Sequence, residues 1–236
     1  NREACRNMLP SRRDPDYEFG CNPCSEIVLR GHTKTGAGGG QFCNLTEVVA
    51  KPSDSMETLA DKVRLATIMG TMQSCLTDFK FLRKGWKQNC DEERLLGVSI
   101  TGIYDCPALI KSKPEELQKL KQEAINTNVK WAKILDINPS TAITCIKPSG
   151  TVSQLCNSGS GIHPRWSQHY TRRVRNDKKD PLSNAMIESG IPCEEDKNNT
   201  EAWVFSFPMK SPTKSLTRHD VTPISQLELW KHFAVN

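Results

Sequence analysis

An amide, a thiol and a carboxylate follow one another at every second position in Phe19-Gly20-Cys21-Asn22-Pro23-Cys24-Ser25-Glu26-Ile27. In an extended segment alternate side chains share a face, so Asn22, Cys24 and Glu26 are expected to project together. The Cys24 thiol can serve as a nucleophile or radical carrier, Glu26 can take a proton, and the Asn22 amide can hold a substrate hydroxyl. A second thiol, Cys43, stands in Gln41-Phe42-Cys43-Asn44-Leu45-Thr46-Glu47-Val48, an apolar-flanked segment. Between them Gly36-Ala37-Gly38-Gly39-Gly40 reads as a loop too flexible to continue either strand, and a hairpin would bring Cys43 toward Cys24.

Other chemistries are open to the same residues. Cys21 and Cys24 have the spacing of a redox dithiol or of half a zinc site, but Cys43 and His32 do not supply the second ligand pair at ordinary spacing. Pro148-Ser149-Gly150-Thr151-Val152-Ser153 follows an apolar run, and its glycine permits close backbone approach to a phosphate. It is not a Walker loop, and the Gly36–Gly40 run lacks the third glycine of a dinucleotide fingerprint. Arg165, Arg172, Arg173, Arg175, Lys178 and Lys179, interleaved with Trp166, His169 and Tyr170, have the composition of a nucleic-acid surface or of a solvated face.

Asn-Pro-Cys-Ser-Glu-Ile followed by Phe-Cys-Asn-Leu resembles the active-site finger loop and redox strand of ribonucleotide reductases, in particular the monomeric adenosylcobalamin-dependent class II enzymes. Thr141–Ser153 resembles the family's substrate-phosphate loop, and Ser160-Gly161-Ile162-His163-Pro164 and Tyr170–Arg175 extend the likeness in order. The resemblance implies an α/β fold, part of a ten-stranded barrel with the finger loop at its centre. It implies a finger loop at about 17–30, a redox strand at about 41–49 and a phosphate loop at about 147–153.

By the same resemblance Cys24 carries a transient thiyl radical, Glu26 accepts the 3′-hydroxyl proton, and Asn22 binds the ribose. Cys43 is then one of two reducing thiols, its partner lying upstream of this chain, and Pro148, Ser149, Gly150, Thr151 and Val152 bind the substrate phosphates. No metal ligand is implied. The expected cofactor is adenosylcobalamin, with a ribonucleoside tri- or diphosphate as substrate, thioredoxin or a similar dithiol as reductant, deoxynucleotide effectors, and a monomeric state. Cys21 departs from the family, which usually has no thiol there. The alternatives are a class I large subunit with a separate radical-generating subunit, and a zinc-stabilised nucleic-acid-binding module.

The elements around these residues read as alternating helices and strands. Lys51-Pro52-Ser53-Asp54 marks a break, Asp54 and Glu57 have capping-box spacing, and Leu59, Val63, Ala66, Met69 and Gln73 trace a helix from Met56 to about Lys84. Arg94–Gly102 and Ala142–Ile146 read as buried strands. Pro114 opens a helix whose inner stripe is Leu117, Leu120, Ala124, Asn128, Trp131 and Leu135, closed by Asn138-Pro139. The pattern predicts an α/β architecture with parallel strand pairs.

In 236 residues, 36% hydrophobic and 25% charged, there is material for one large domain or two small ones. No signal segment is evident at the start and no apolar run is long enough for a bilayer, so a cytoplasmic location is expected. The chain starts and stops without terminal signals and reads as an internal piece of a longer polypeptide. Ten cysteines scattered through a chain of this size read as reduced thiols, with no role assigned to Cys5, Cys75, Cys90, Cys106, Cys145, Cys156 or Cys193. A net charge of +5 slightly favours an anionic ligand.

Overall fold

Phe19–Cys21 (β1) and Val28–Arg30 (β2) pair antiparallel, with Phe19 opposite Arg30 and Cys21 opposite Val28. The computed structural model describes residues 13–213 and 215–236; the polar approach before Arg13, including Cys5, lies outside them. Cys43 leads into β3 (Asn44–Val49), which runs parallel to β4 (Leu96–Thr101), Leu45 opposite Gly97 and Glu47 opposite Ser99. A parallel pair requires a crossover. Here it is made by α1 (Met56–Gln73) and α2 (Lys84–Glu93).

After β4 come α3 (Pro107–Ile110) and α4 (Pro114–Ile134), and the chain returns beside β4, Thr144 forming a parallel bridge with Val98. Only this bridge stands where the sequence predicts a strand over Ala142–Ile146. The core between these layers holds Val48, Leu59, Val63, Leu96, Val98, Leu117, Leu120, Ala124 and Ile143. Val152–Leu155 forms the short α5, and the final helix of this unit, Pro223–Val235, is α7.

The long helix expected to reach Lys84 stops at Gln73. The Ser74 carbonyl accepts a hydrogen bond from Arg94 Nη1 at 2.5 Å, and the next residues turn on local bonds, Cys75 N–H to Met72 and Leu76 N–H to Gln73. Its buried stripe is Leu59, Val63, Ala66, Thr67, Gly70 and Thr71, while Met69 faces outward. A Cβ at Gly70 would stand 3.2 Å from Leu96, so the helix lies close against the strands where its side chain is missing. The capping box also differs from expectation: Ser55 and Thr58 form it, while Asp54 binds Lys62 and the Lys51 N–H. Helix α4 starts at Pro114 as predicted, and Glu116 reaches back to the Lys113 N–H at 2.7 Å.

Residues Arg165–Thr222 form a second compact unit. Its sheet has the order β5 (His169–Asp177), β7 (Ala202–Lys210), β6 (Cys193–Glu195), all antiparallel, with α6 (Pro181–Glu188) between β5 and β6 in sequence. The basic run lies largely on β5, and acidic neighbours engage it: Arg173 with Glu194, Arg175 with Asp196, and Lys178 with Glu195 at 2.6 Å. No described helix is long and apolar enough to cross a membrane.

Candidate active site

The hairpin tip places Asn22, Cys24 and Glu26 within one tight loop, though not as an extended row. Strand β1 ends at Cys21, the Ser25 N–H bonds back to the Asn22 carbonyl at 2.9 Å, and Ser25 takes a left-handed φ of 61°. That conformation breaks the two-residue alternation on which the row depended. Asn22 Oδ1 accepts the Ile27 N–H at 3.1 Å, so the donating end of its amide is what remains for a ligand hydroxyl. Cys24 is exposed, whereas Glu26 has a buried Oε2 without a hydrogen-bond partner among the described residues. Cys21 Sγ lies 3.8 Å from the Ser25 hydroxyl. No group of three His, Cys, Asp or Glu residues suited to a metal ion occurs among the described residues.

The base of the hairpin rests on a buried polar cluster. Glu93, 1% exposed at the end of α2, accepts from Arg13 Nε at 2.9 Å, Arg13 Nη2 at 2.6 Å and Gln41 Nε2 at 2.6 Å. Arg30 Nε stands 3.3 Å from the same carboxylate, and Arg13 Nη1 donates to the Val28 carbonyl at 2.7 Å. Both guanidinium groups also cover aromatic faces, Arg30 over Tyr17 at 3.6 Å and Arg13 over Phe19 at 4.8 Å. Charges buried this deeply persist only when paired; Arg13 is both paired and hydrogen-bonded to Glu93, while Arg30 Nε faces the same carboxylate without a hydrogen-bond partner among the described residues.

The glycine run expected to be a flexible loop is packed over its second half: Gly36 and Ala37 are exposed, but Gly38, Gly39 and Gly40 lie against Arg83, Gly85 and Trp86. A Cβ at Gly40 would come within 2.5 Å of the Trp86 ring, so the backbone there approaches α2 at a distance no side chain permits. Gln41, next in the chain, is buried and bonds Glu93 and the Arg30 N–H, which ties the start of the thiol segment to the hairpin base.

Cys43 meets an unexpected neighbour over β4. A Cβ on Gly97 would lie 3.2 Å from the sulfur of Cys43 and 3.2 Å from that of Cys145, so the two thiols are within twice that distance of one another. Burial pushes both thiols up, Cys145 to about 12, and the nearby Glu26 carboxylate adds to the shift of each. Cys43 is further raised by Cys145. At neutral pH both are therefore S–H groups and not thiolates.

The phosphate-loop residues divide into an outward and an inward set. Pro148, Gly150, Thr151 and Val152 are exposed, whereas Ser149 is buried. Ser149 Oγ donates to Glu47 Oε2 at 3.0 Å and accepts the Ser153 N–H at 3.0 Å, and the Ser149 carbonyl accepts from Ser160 Oγ at 2.7 Å. The SGIHP segment thus buttresses the loop from behind.

Glu47, Lys147 and Cys145 lie inside the motif stretches, but nothing in their type or spacing assigns them a role. Glu47 was accessible through period-two counting from Cys43, which puts Cys43, Leu45 and Glu47 on one strand face. Nothing local marks Cys145, because its proximity to Cys43 depends on two flanking segments meeting across Gly97.

No family model matches the chain. Among curated proteins it is 27% identical over 227 residues to the adenosylcobalamin-dependent ribonucleoside-triphosphate reductase of Lactobacillus acidophilus, a match covering 84% of this chain and 29% of that protein. The enzyme of that name from Euglena gracilis is 28% identical over 91% of this chain and 29% of its own length. A probable one from Dictyostelium discoideum is 27% identical over 97% and 29%. The chain thus spans about three tenths of the length of these relatives. A crystal structure of B-12 dependent (class II) ribonucleotide reductase superposes with a TM-score of 0.66 at 22% identity, covering 92% of this chain and 34% of that one. The mixed α/β fold built here is therefore that of the class II enzyme, and by sequence the chain is a homologue of adenosylcobalamin-dependent ribonucleoside-triphosphate reductases.

Proposed function

We propose that this chain forms part of the catalytic barrel of a cytoplasmic, monomeric, adenosylcobalamin-dependent ribonucleotide reductase that acts on ribonucleoside triphosphates. The observation that carries the reading is the single tight loop that holds Asn22, Cys24 and Glu26 together, with Glu26 Oε2 buried and without a hydrogen-bond partner among the described residues. Adenosylcobalamin, when bound, supplies the homolytic cleavage that starts radical chemistry. The exposed Cys24 is the group here that would meet it, and its place at a hairpin tip fits that demand.

The Cys24 thiyl removes the 3′-hydrogen of the ribose, and Glu26 takes the 3′-hydroxyl proton. The donating end of the Asn22 amide holds the same hydroxyl region. Two thiols, Cys43 and a partner outside this chain, deliver two electrons and two hydrogens as they close to a disulfide. The 2′-hydroxyl leaves as water and hydrogen replaces it at the 2′-carbon, the 3′-oxygen regains its proton from Glu26, and the Cys24 thiol returns its hydrogen atom to the 3′-carbon, which restores the thiyl. A dithiol protein of the thioredoxin type then reopens the disulfide, and deoxynucleotide effectors act elsewhere in the intact protein. Glu26 Oε2, buried and without a hydrogen-bond partner among the described residues, is the carboxylate oxygen left to accept that proton.

The test uses the intact protein with adenosylcobalamin, a ribonucleoside triphosphate and a dithiol. Deoxynucleotide should form, and samples frozen within milliseconds should give an electron paramagnetic resonance signal; Cys24→Ser should abolish both. Undiminished turnover in Cys24→Ser would sink the assignment. Product formation that requires a separate protein subunit in place of the cobalamin would favour the class I alternative.

A further inference from the structure

Glu47 is a carboxylate buried without a full set of partners. Its side chain is 9% exposed, Oε2 accepts from Ser149 Oγ at 3.0 Å, and Oε1 has no hydrogen-bond partner among the described residues, with Lys147 Nζ 3.8 Å away. An unbonded buried carboxylate oxygen costs stability, and an ammonium at that distance offsets only part of the cost.

A serine hydroxyl has one proton to give. That of Ser149 goes to Glu47, and an Oγ lone pair takes the Ser153 N–H. Ser149 therefore has no proton left for a phosphate oxygen, although the family likeness groups it with the phosphate contacts. What faces outward is the stretch Gly150, Thr151 and Val152, and no backbone acceptor among the described residues takes the Gly150 or Thr151 N–H.

We propose that Glu47 is a positioning residue for the phosphate loop: it captures the Ser149 hydroxyl, turns that side chain inward, and so presents the Gly150–Val152 backbone to the ligand's phosphates. The inference rests on reading this loop as a phosphate site. It also gives β3 a second task. Cys43 and Glu47 belong to one strand face, so the strand that leads out of the reducing thiol also sets the height of the loop that fixes the substrate. Lys147 keeps the arrangement compatible with an anion, because a bare carboxylate beside a phosphate would repel it.

The two effects of removing Glu47 have opposite signs, which makes the proposal decidable. Were Glu47 merely a nearby negative charge, its removal would tighten anion binding. As a positioning residue, its removal must weaken it. Titration calorimetry on the intact protein with a ribonucleoside triphosphate and with inorganic tripolyphosphate should show Glu47→Ala and Ser149→Ala losing about tenfold in affinity for both ligands. The unphosphorylated nucleoside should be unaffected, and Glu47→Gln, which keeps an acceptor oxygen, should recover most of the loss. In turnover the deficit should fall on KM more than on kcat.

Unchanged or tighter tripolyphosphate binding in Ser149→Ala and Glu47→Ala overturns the proposal, as does a loss confined to the nucleoside. If Glu47→Ala does not fold, Ser149→Ala and Glu47→Gln decide by the same criteria. A wild-type protein that binds neither phosphate ligand removes the phosphate-site reading itself, and this inference with it.

Discussion

The hairpin of residues 19–30 and the loop of residues 147–153 are each held by a buried carboxylate, but at different places. Glu93 grips the hairpin at its base through Arg13, Arg30 and Gln41, and the tip that carries Cys24 projects free of that cluster. Glu47 grips the phosphate loop at its centre, through Ser149, with Ser160 holding the same residue from the other side. On the proposed function, the tip has to reach a radical source and a sugar, whereas the loop has to hold a phosphate in a fixed shape, and the two anchor positions suit these different demands.

Removing the base anchor should have the largest effect. Glu93→Ala leaves the Arg13 and Arg30 guanidinium groups buried without their shared carboxylate, which costs about 3–5 kcal/mol for a broken buried pair. Glu92 pairs with the same Arg30 at 2.6 Å but is 40% exposed, so Glu92→Ala should cost less than about 1 kcal/mol. Urea unfolding measures both. Equal losses would mean that the hairpin is not held by its buried base.

The thiols under the tip give a pH signature. Their folded pKa values lie above that of a free thiol, Cys145 at about 12, so the folded state binds protons that the unfolded state has released. The contribution is complete below pH ~9 and is lost as pH rises toward the folded values, at up to about 1.4 kcal/mol per pH unit for each thiol. Unfolding midpoints at pH 8 and pH 10 should therefore differ, and the difference should shrink in Cys145→Ala. A flat profile would place these thiols in water.

On the cradle side, Gly161 has φ +55°, and a Cβ there would lie 2.7 Å from the Lys147 carbonyl. Gly161→Ala should cost roughly 1–3 kcal/mol through strain. Phosphate binding should also weaken, because the displaced carbonyl belongs to the loop's first residue. A stability loss with intact tripolyphosphate affinity would show the buttress to be dispensable for the cradle.

Much of this was legible where the cause is local. Pro114 with its following glutamates fixes the start of α4, and the order of the chemical motifs is visible in the residues themselves. The parallel pairing of β3 with β4 follows from alternating helical and apolar segments. What failed depends on distant partners. The end of α1 is decided by Arg94, 20 residues beyond the Ser74 carbonyl that it captures. The glycine run gave no sign of Trp86, and Cys145 gave none of Cys43, because a gap over Gly97 exists only once three segments lie side by side. Glu47 lay between these cases: its strand face was countable, but its meaning needed Ser149.

The smallest effect sharpens the contrast at the tip itself. Ser25 holds a left-handed φ of 61°, a conformation that costs a residue with a Cβ roughly 1–2 kcal/mol, and among the described residues its hydroxyl meets only the Cys21 sulfur, at 3.8 Å. Glycine removes that strain but loses more entropy on folding, roughly 0.5–1 kcal/mol, so Ser25→Gly should stabilise the protein by less than about 1 kcal/mol. The same change loosens the residue between Cys24 and Glu26. If the strained turn is what aims the thiol and the carboxylate at one sugar, turnover should fall severalfold while unfolding shifts to slightly higher urea. Turnover that rises with stability would mean that the base cluster alone aims the tip, and that the strain at Ser25 serves no purpose in the reaction.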